Sequence, residues 1–394
     1  MDDIGVATRL QTLRKLRGVT QATLAQRAHV SLSLVKKVEQ GSAPPTPAFV
    51  AQAARALGVK PGYLYGTEQY DAREPSWNEA PGIADLRTAV DAYDDPQPAG
   101  EPLPLEYIDA RLTEIAGQVF RLRYDQAAAE LAGLLHHLYV LVAEPDPTGV
   151  LARAALHDAY RLTATVAGRF RQLDLAATAS ERHIQLAPFT GDPHRVAVSA
   201  FHRSSRHLQN GDYRAGLRLI ERAREHVDST ETGRALQVQL DLRSAVLAAR
   251  AGDLPEADEY LQEARALQEA EPIPLPMTPY RGLDSSATNT LVHWVAAPVE
   301  LGDGTESVRR SGLVEIVDRD RPERVGHYYI DLSRAYVLHG DAGRALEALD
   351  KARRIDPHNT RRHPTVRETV LALAKGKRPP EALSDFATWA GIDS

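Results

Sequence analysis

The stretch VTQATLAQRAHVSLSLVKKVEQGSAPP, Val19 to Pro45, holds two short apolar patterns at helical spacing with a turn between them. Leu24 and Ala25 fall on the inner side of the first, and Leu34, Val35 and Val38 on the inner side of the second. Thr20 and Ser31 stand where each helix begins, where a hydroxyl accepts from an otherwise free backbone N–H. His29 and Val30 make the turn, and Gly41 stops the second helix. Working outward, Ala7, Leu10, Leu13 and Leu16 predict a preceding helix ended by Gly18. Thr46 opens a following one with Val50, Ala53, Ala54 and Leu57 inward, and Gly58 to Tyr65 closes the unit with a short turn.

Charge singles out the same unit. Within residues 1–66, Arg9, Arg14, Lys15, Arg17, Arg27, Lys36, Lys37, Arg55 and Lys60 stand against Asp2, Asp3 and Glu39, a surplus of six in a chain of formal net charge −6. The remainder therefore carries −12. A basic head on an acidic body that would repel polyanions points to a local nucleic-acid footprint. Two short helices joined by a tight turn, the second presenting small polar and basic side chains, suit a recognition helix laid in a major groove.

The run TQATLAQRAHVSLSLVKKVEQG followed by ALGV resembles the helix-turn-helix of the XRE family, the domain shared by lambdoid repressors and Cro, over roughly Ile4 to Gly66. The resemblance implies a five-helix head that binds double-stranded DNA. It implies that Gln21, beside Thr20 at the start of the second helix, reaches a phosphate and braces the recognition helix. Leu32, Ser33 and Lys37 match positions that face base edges, while Ser31, Lys36 and Ser42 match phosphate-contacting or flanking positions. Side-chain chemistry agrees: Lys37 can donate to guanine acceptors, Ser33 can pair with several bases, and Leu32 can touch a thymine methyl. Leu32 stands where the family often has glutamine or arginine, which leaves more of the readout to DNA shape. Arg14 and Glu39 match a structural pair holding the first helix to the end of the third.

From Thr67 the texture changes. GTEQYDAREPSWNEAPG and DDPQPAGEPLPL are turn-rich, so residues 67–104 read as a linker, with a short helix expected at Ile83, Leu86 and Val90 and Trp77 pinning the segment to the body. Residues 105–394 are helical almost throughout and repetitive. NGDYRAGLRLIERA from Asn210, AGDLPEADEYLQEA from Ala251 and HGDAGRALEALDKA from His339 align on Gly-Asp. Each then places a small residue (Gly216, Ala257, Ala345), a large apolar one (Ile220, Leu261, Leu349) and an alanine (Ala223, Ala264, Ala352) at matching offsets. This pattern resembles the tetratricopeptide repeat. The whole chain therefore reads as all-α, a helix-turn-helix head followed by an α-solenoid of about five or six helix pairs.

A solenoid of this kind has a concave face lined by its first helices. By register the candidate ligand-binding residues there are Gln209, Gln239, Arg250, Asn289, His327 and Arg334, with Phe201, Ser205, Leu242, Val246, Val292 and Ile330 beside them. Asn289, Gln239 and Arg334 are of types that hydrogen-bond a peptide backbone or a carboxylate. The proline-rich EPIPLPMTPYRG, Glu271 to Gly282, reads as a connector rather than a lid.

Several classes are set aside. Cysteine is absent, which removes disulfides and thiol chemistry. No window of about 18 apolar residues appears, so no membrane span is expected and the expectation is a cytoplasmic protein. His136 and His137 are adjacent and His202 and His207 are five apart, neither a metal-binding spacing, and no phosphate loop or nucleophile elbow is present. No catalytic residue, metal or cofactor is assigned. Joined to the repeats, the head resembles quorum-sensing regulators that bind short peptides. That resemblance implies a homodimer on a pseudo-palindromic operator, controlled by a peptide or a small diffusible molecule. An interaction scaffold that holds a protein partner on DNA is the alternative.

Overall fold

The structure, a computed structural model, describes residues 5–392 apart from 58, 60, 67–81, 171, 271–279, 281–282, 317–321 and 377–379. Trp77 and most of the proline-rich connector lie outside the described residues. Among those described the ordered elements are helical throughout, with no strand.

The head comprises α1 (Val6–Leu16), α2 (Gln21–Arg27), α3 (Leu32–Glu39), α4 (Pro47–Ala56) and α5 (Pro61–Tyr65). Thr20, Ser31 and Thr46 cap α2, α3 and α4, their hydroxyls accepting from the amides of Thr23, Leu34 and Phe49 at 3.0, 3.1 and 3.1 Å. Leu10, Leu24, Val35, Val38, Val50, Ala53, Ala54 and Leu57 form the core, completed by Val6, Phe49 and Leu64. Leu16 was expected inward and is 77% exposed. Nine residues separate it from Ala7, which at about 100° each is half a turn out, so a run of strict i+3 steps drifts off the face.

Beyond the head, α6 (Ile83–Asp91) packs Ile83, Leu86, Ala89 and Val90 into the first solenoid core. Arg87 fixes it by bonds to Asp174 and Gln172. The part of the expected linker from Ile83 is thus an element of the body.

Six helix pairs then follow. They are α7/α8 (Leu105–Phe120, Tyr124–Leu141), α9/α10 (Thr148–Arg169, Leu173–Leu186), α11/α12 (Pro193–Asn210, Tyr213–Arg224), α13/α14 (Glu231–Arg250, Leu254–Ala270), α15/α16 (Ala287–Glu300, Gly304–Ser311) and α17/α18 (Pro322–His339, Ala342–Ile355). Three short helices end the array: α19 (Pro357–Arg362), α20 (Pro364–Ala374) and α21 (Leu383–Ala390). The repeat positions read from the sequence all lie in the cores: Ala257, Ala345, Ala264, Ala352, Ile220 and Leu349 are at most 1% exposed apart from Ala223 at 3%, which also lies inside. Small side chains let paired helices approach closely, and the large ones fill between neighbouring pairs.

The head rests on two separated parts of this array. Val6 N donates to Glu368 Oε1 of α20 at 3.2 Å. On the other side, Arg55 of α4 bonds Asp212 Oδ1 at 2.5 Å, and Ala51 joins Tyr213, Leu217, Ile220, Leu240 and Leu247 in one apolar cluster. Gly211 sits at that contact with φ of 74°, and a Cβ there would lie 3.1 Å from Ala51 Cβ. Only glycine combines that left-handed backbone with so close a neighbour at no cost.

Candidate nucleic-acid interface and interdomain cavity

The head presents α3 outward. Ser31, Leu32, Ser33, Lys36, Lys37 and Ser42 are all exposed, as is Thr20, and Leu32 shows 39% of its surface. The same helix buries Val35 and Val38, so its solvent face is the one carrying the expected base- and phosphate-facing side chains. Beneath it, Arg14 donates from Nε to Glu39 Oε1 at 2.6 Å and from Nη2 to Oε2 at 2.8 Å. Gln21 Nε2 adds a third bond to Glu39 at 2.8 Å, and Arg14 Nη1 holds Val19 O at 2.8 Å. The start of α2 and the end of α3 are thereby clamped to α1. Burial alone would raise Glu39, but the bonds from Arg14 and Gln21 hold it below the ordinary carboxylate range. Ser42 is turned back, its hydroxyl donating to Lys37 O at 3.1 Å, which ties the loop after α3 to that helix.

On the inner side of the solenoid a cavity of about 240 Å³ is lined by the first helices of four pairs, α11, α13, α15 and α17, with His363 and Thr365 at one end. Gln239, Arg250, Asn289, His327 and Arg334 all line it. Gln209 does not: it is exposed near the end of α11. Phe201 and Leu208, seven residues apart, share the cavity face, and Gln209 lies one residue, about 100°, beyond it. Ile330, also placed on this face by register, is instead wholly buried in the last core cluster.

Within the cavity the expected ligand groups are largely occupied by the protein itself. Gln239 Nε2 and Asn289 Nδ2, the latter at 2.6 Å, both donate to the carbonyl of Asp284 in the loop before α15. Arg250 Nε bonds Glu300 Oε2 and Arg334 Nη1 bonds Glu300 Oε1, each at 3.1 Å, and Arg334 also reaches Asp331 at 3.0 Å. Burial would raise Glu300, but these two guanidiniums hold it below its ordinary range. The sequence missed two further cations of this wall, Arg243 and Arg324, because neither belongs to the register assigned to the face. Arg243 and Phe201 stand on neighbouring first helices, and the guanidinium carbon lies 4.2 Å from the ring centroid. Burial, then Arg250 and Arg324, push Arg243 down to about 9. Burial, then Arg324, likewise push His327 down to about 3, while burial and His327 bring His363 to about 3. His293 is held well below its ordinary value by burial, Arg324 and Arg243.

The head closes part of this space. Pro47, the first residue of α4, is among the lining residues. Burial pushes the Tyr65 hydroxyl of α5 up, against Arg334 and Arg250, which lie near enough to act on it. The head thus meets the cavity through α4 while α3 faces solvent.

Residues 6–64 match the helix-turn-helix domain family, covering α1 through most of α5. No curated protein and no solved structure matches the chain. The N-terminal unit is therefore a helix-turn-helix domain, the module of DNA-binding regulators. Among the described residues no helix is long and apolar enough to cross a membrane, and no group of three metal-ligating side chains comes together.

Proposed function

We propose that this chain is a sequence-specific transcriptional regulator whose tetratricopeptide-like solenoid binds a signal, a short peptide or a small diffusible molecule, and so controls how a homodimer engages a pseudo-palindromic operator. The observation that carries this reading is the place of Pro47 in the cavity wall, eight residues after the recognition helix ends at Glu39. A ligand that fits the cavity with the head seated, or only with it displaced, binds the two arrangements with different affinity. It therefore shifts the population of DNA-competent molecules by that difference. Two heads on one duplex must be spaced by about one helical turn, so a small change of seating changes operator affinity steeply.

The test is recovery of bound genomic DNA, followed by affinity for the best site with and without an extract of small molecules and peptides. Enrichment of a short inverted repeat whose binding the extract changes is the expected result. An enriched site indifferent to every extract would remove the sensing role and leave the repeats as a scaffold for a protein partner.

A further inference from the structure

The cavity carries an imbalance of charge. Arg243, Arg250, Arg324 and Arg334 line it, and the acidic lining residues are Glu300 and Asp331. Arg250 and Arg334 use both carboxylates. Arg243 has only the neutral Ser205 hydroxyl, at 2.9 Å, and the Phe201 ring, while Arg324 has no carboxylate partner among the described residues. Its sequence neighbour Glu323 is taken by Arg169. Two half-buried guanidiniums with no carboxylate partner among the described residues leave a positive charge at the cavity that a bound anion would offset.

Other groups at the same place are also unfinished. Arg334 Nη2, only 3% of that residue being exposed, has no acceptor, and Asn289 Oδ1, in a residue 2% exposed, has no donor. Buried polar atoms are almost always paired, so orphans gathered on one cavity wall mark where a ligand's polar atoms sit. The same cavity also has apolar lining, formed by Leu208, Leu242, Val246 and Val292 among others. Arg324 also lines a second, adjoining cavity of about 110 Å³ with Val119, Phe120 and Leu162. One guanidinium thus borders both cavities, the second of which also carries Arg161, Asp284 and Glu323.

We propose that the cavity selects a ligand bearing a carboxylate on an apolar body, the carboxylate held by Arg243 and Arg324. This rests on the sensing role proposed above and names the chemistry of its signal. The Arg250–Glu300–Arg334 network is the floor of the site, and Arg243 and Arg324, without a carboxylate partner among the described residues, are its recognising groups. A planar fork of donors matches a carboxylate in two bonds, which an amide or ester lacks the charge to exploit. An alkanoic acid and a peptide with a free C-terminus present this same chemistry.

Calorimetric titration of the full chain tests it with matched pairs. One pair series runs the straight-chain acids from butyrate to decanoate against their primary amides. The other sets an N-acetylated leucine dipeptide with a free C-terminus against its C-terminal amide. At least one acid is expected to bind about tenfold or more tightly than its amide, and the series in which it falls separates the small-molecule source from the peptide one. Arg243→Gln and Arg324→Gln should each abolish that preference, whereas Arg243→Lys retains part of it. In the absence of ligand both glutamine variants should melt no lower than the parent, because each removes an uncompensated charge. A residue that served only the fold would lower the melting point.

Equal binding of acids and amides, failure of every acid to bind, or an acid preference that survives both glutamine variants would overturn the proposal. Operator affinity measured on the same samples separates the two readings. An acid that binds through Arg243 and Arg324 yet leaves operator affinity unchanged keeps this site and sinks the coupling to DNA. An operator response to cell extract with no acid selectivity does the reverse.

Discussion

The backbone amide of Val6 donates to Glu368 Oε1 across 3.2 Å, tying the first turn of the helix-turn-helix head to α20. Glu368 is 5% exposed, and burial raises its carboxyl while the Val6 amide and Arg367 draw it back. With the Arg55 bonds to Asn210 and Asp212, this bond is a polar tie between head and solenoid among the described residues, so it contributes to how firmly the head is seated. Glu368→Ala is expected to speed amide hydrogen exchange across α1 by about tenfold or more, the loss of one charge-assisted bond of about 1.5–3 kcal/mol, while α3 exchange relative to α2 stays unchanged. Unchanged exchange in α1 would mean that the apolar contacts at Ala51 seat the head unaided.

Gly211 tests the opposite edge of the same contact. Gly211→Ala places a side chain on a left-handed backbone, 3.1 Å from Ala51 Cβ. The expected cost is about 1–2 kcal/mol in global stability, with the solvent exposure of α4 increased in limited proteolysis near Arg55. Wild-type stability and proteolysis together would show that the head yields at no cost.

The proposed DNA-binding role assigns base reading to some exposed side chains of α3 and phosphate contact to others. Lys37→Ala and Ser33→Ala should reduce the preference for the specific site over random DNA, by about 1–3 kcal/mol for Lys37. Lys36→Ala should weaken both sites alike and lower the salt dependence of binding by about one unit of slope. If Lys37→Ala and Ser33→Ala both keep the wild-type preference, α3 is not the reading element.

Arg14 and Glu39 are 8% exposed each and bonded twice to one another. Arg14→Ala strands the carboxylate and is expected to cost the head about 3–5 kcal/mol, read as a lower melting point with loss of DNA binding. A variant that melts as the parent does would show the clamp to be dispensable.

Neutral histidines make the body sensitive to acid. His327 is brought to about 3 by burial and Arg324, against about 6.5 in an unfolded chain. Between those values the unfolded state binds the extra proton, so stability from this residue is whole above about pH 6.5 and is lost as pH falls below it. His327→Gln removes that share. The drop in melting point from pH 7 to pH 5 is therefore expected to be smaller in the variant than in the parent, and an equal drop would show the imidazole to be solvated.

How much could be read beforehand follows from the range of each interaction. Hydroxyl caps, the turn between α2 and α3, and the small and large repeat positions are set within a few residues of chain, and all of them were legible. Leu16 was misread because strict i+3 spacing drifts off a helical face. Register along first helices found nine of the cavity residues, but it could not show that Gln239 and Asn289 would spend their amides on Asp284 O. Arg243 and Arg324 gave no local signal, since which groups share a cavity is decided by how separate helices pack.

The sequence by itself determined a basic helix-turn-helix head and an acidic helical array, because propensity, capping and periodicity act locally. The tertiary structure alone decided that the head lies across the inner side of the array between Asp212 and Glu368, with Pro47 in the cavity wall. Those contacts join residues more than a hundred and fifty positions apart. They depend on how small rotations between successive helix pairs accumulate, which no single repeat records.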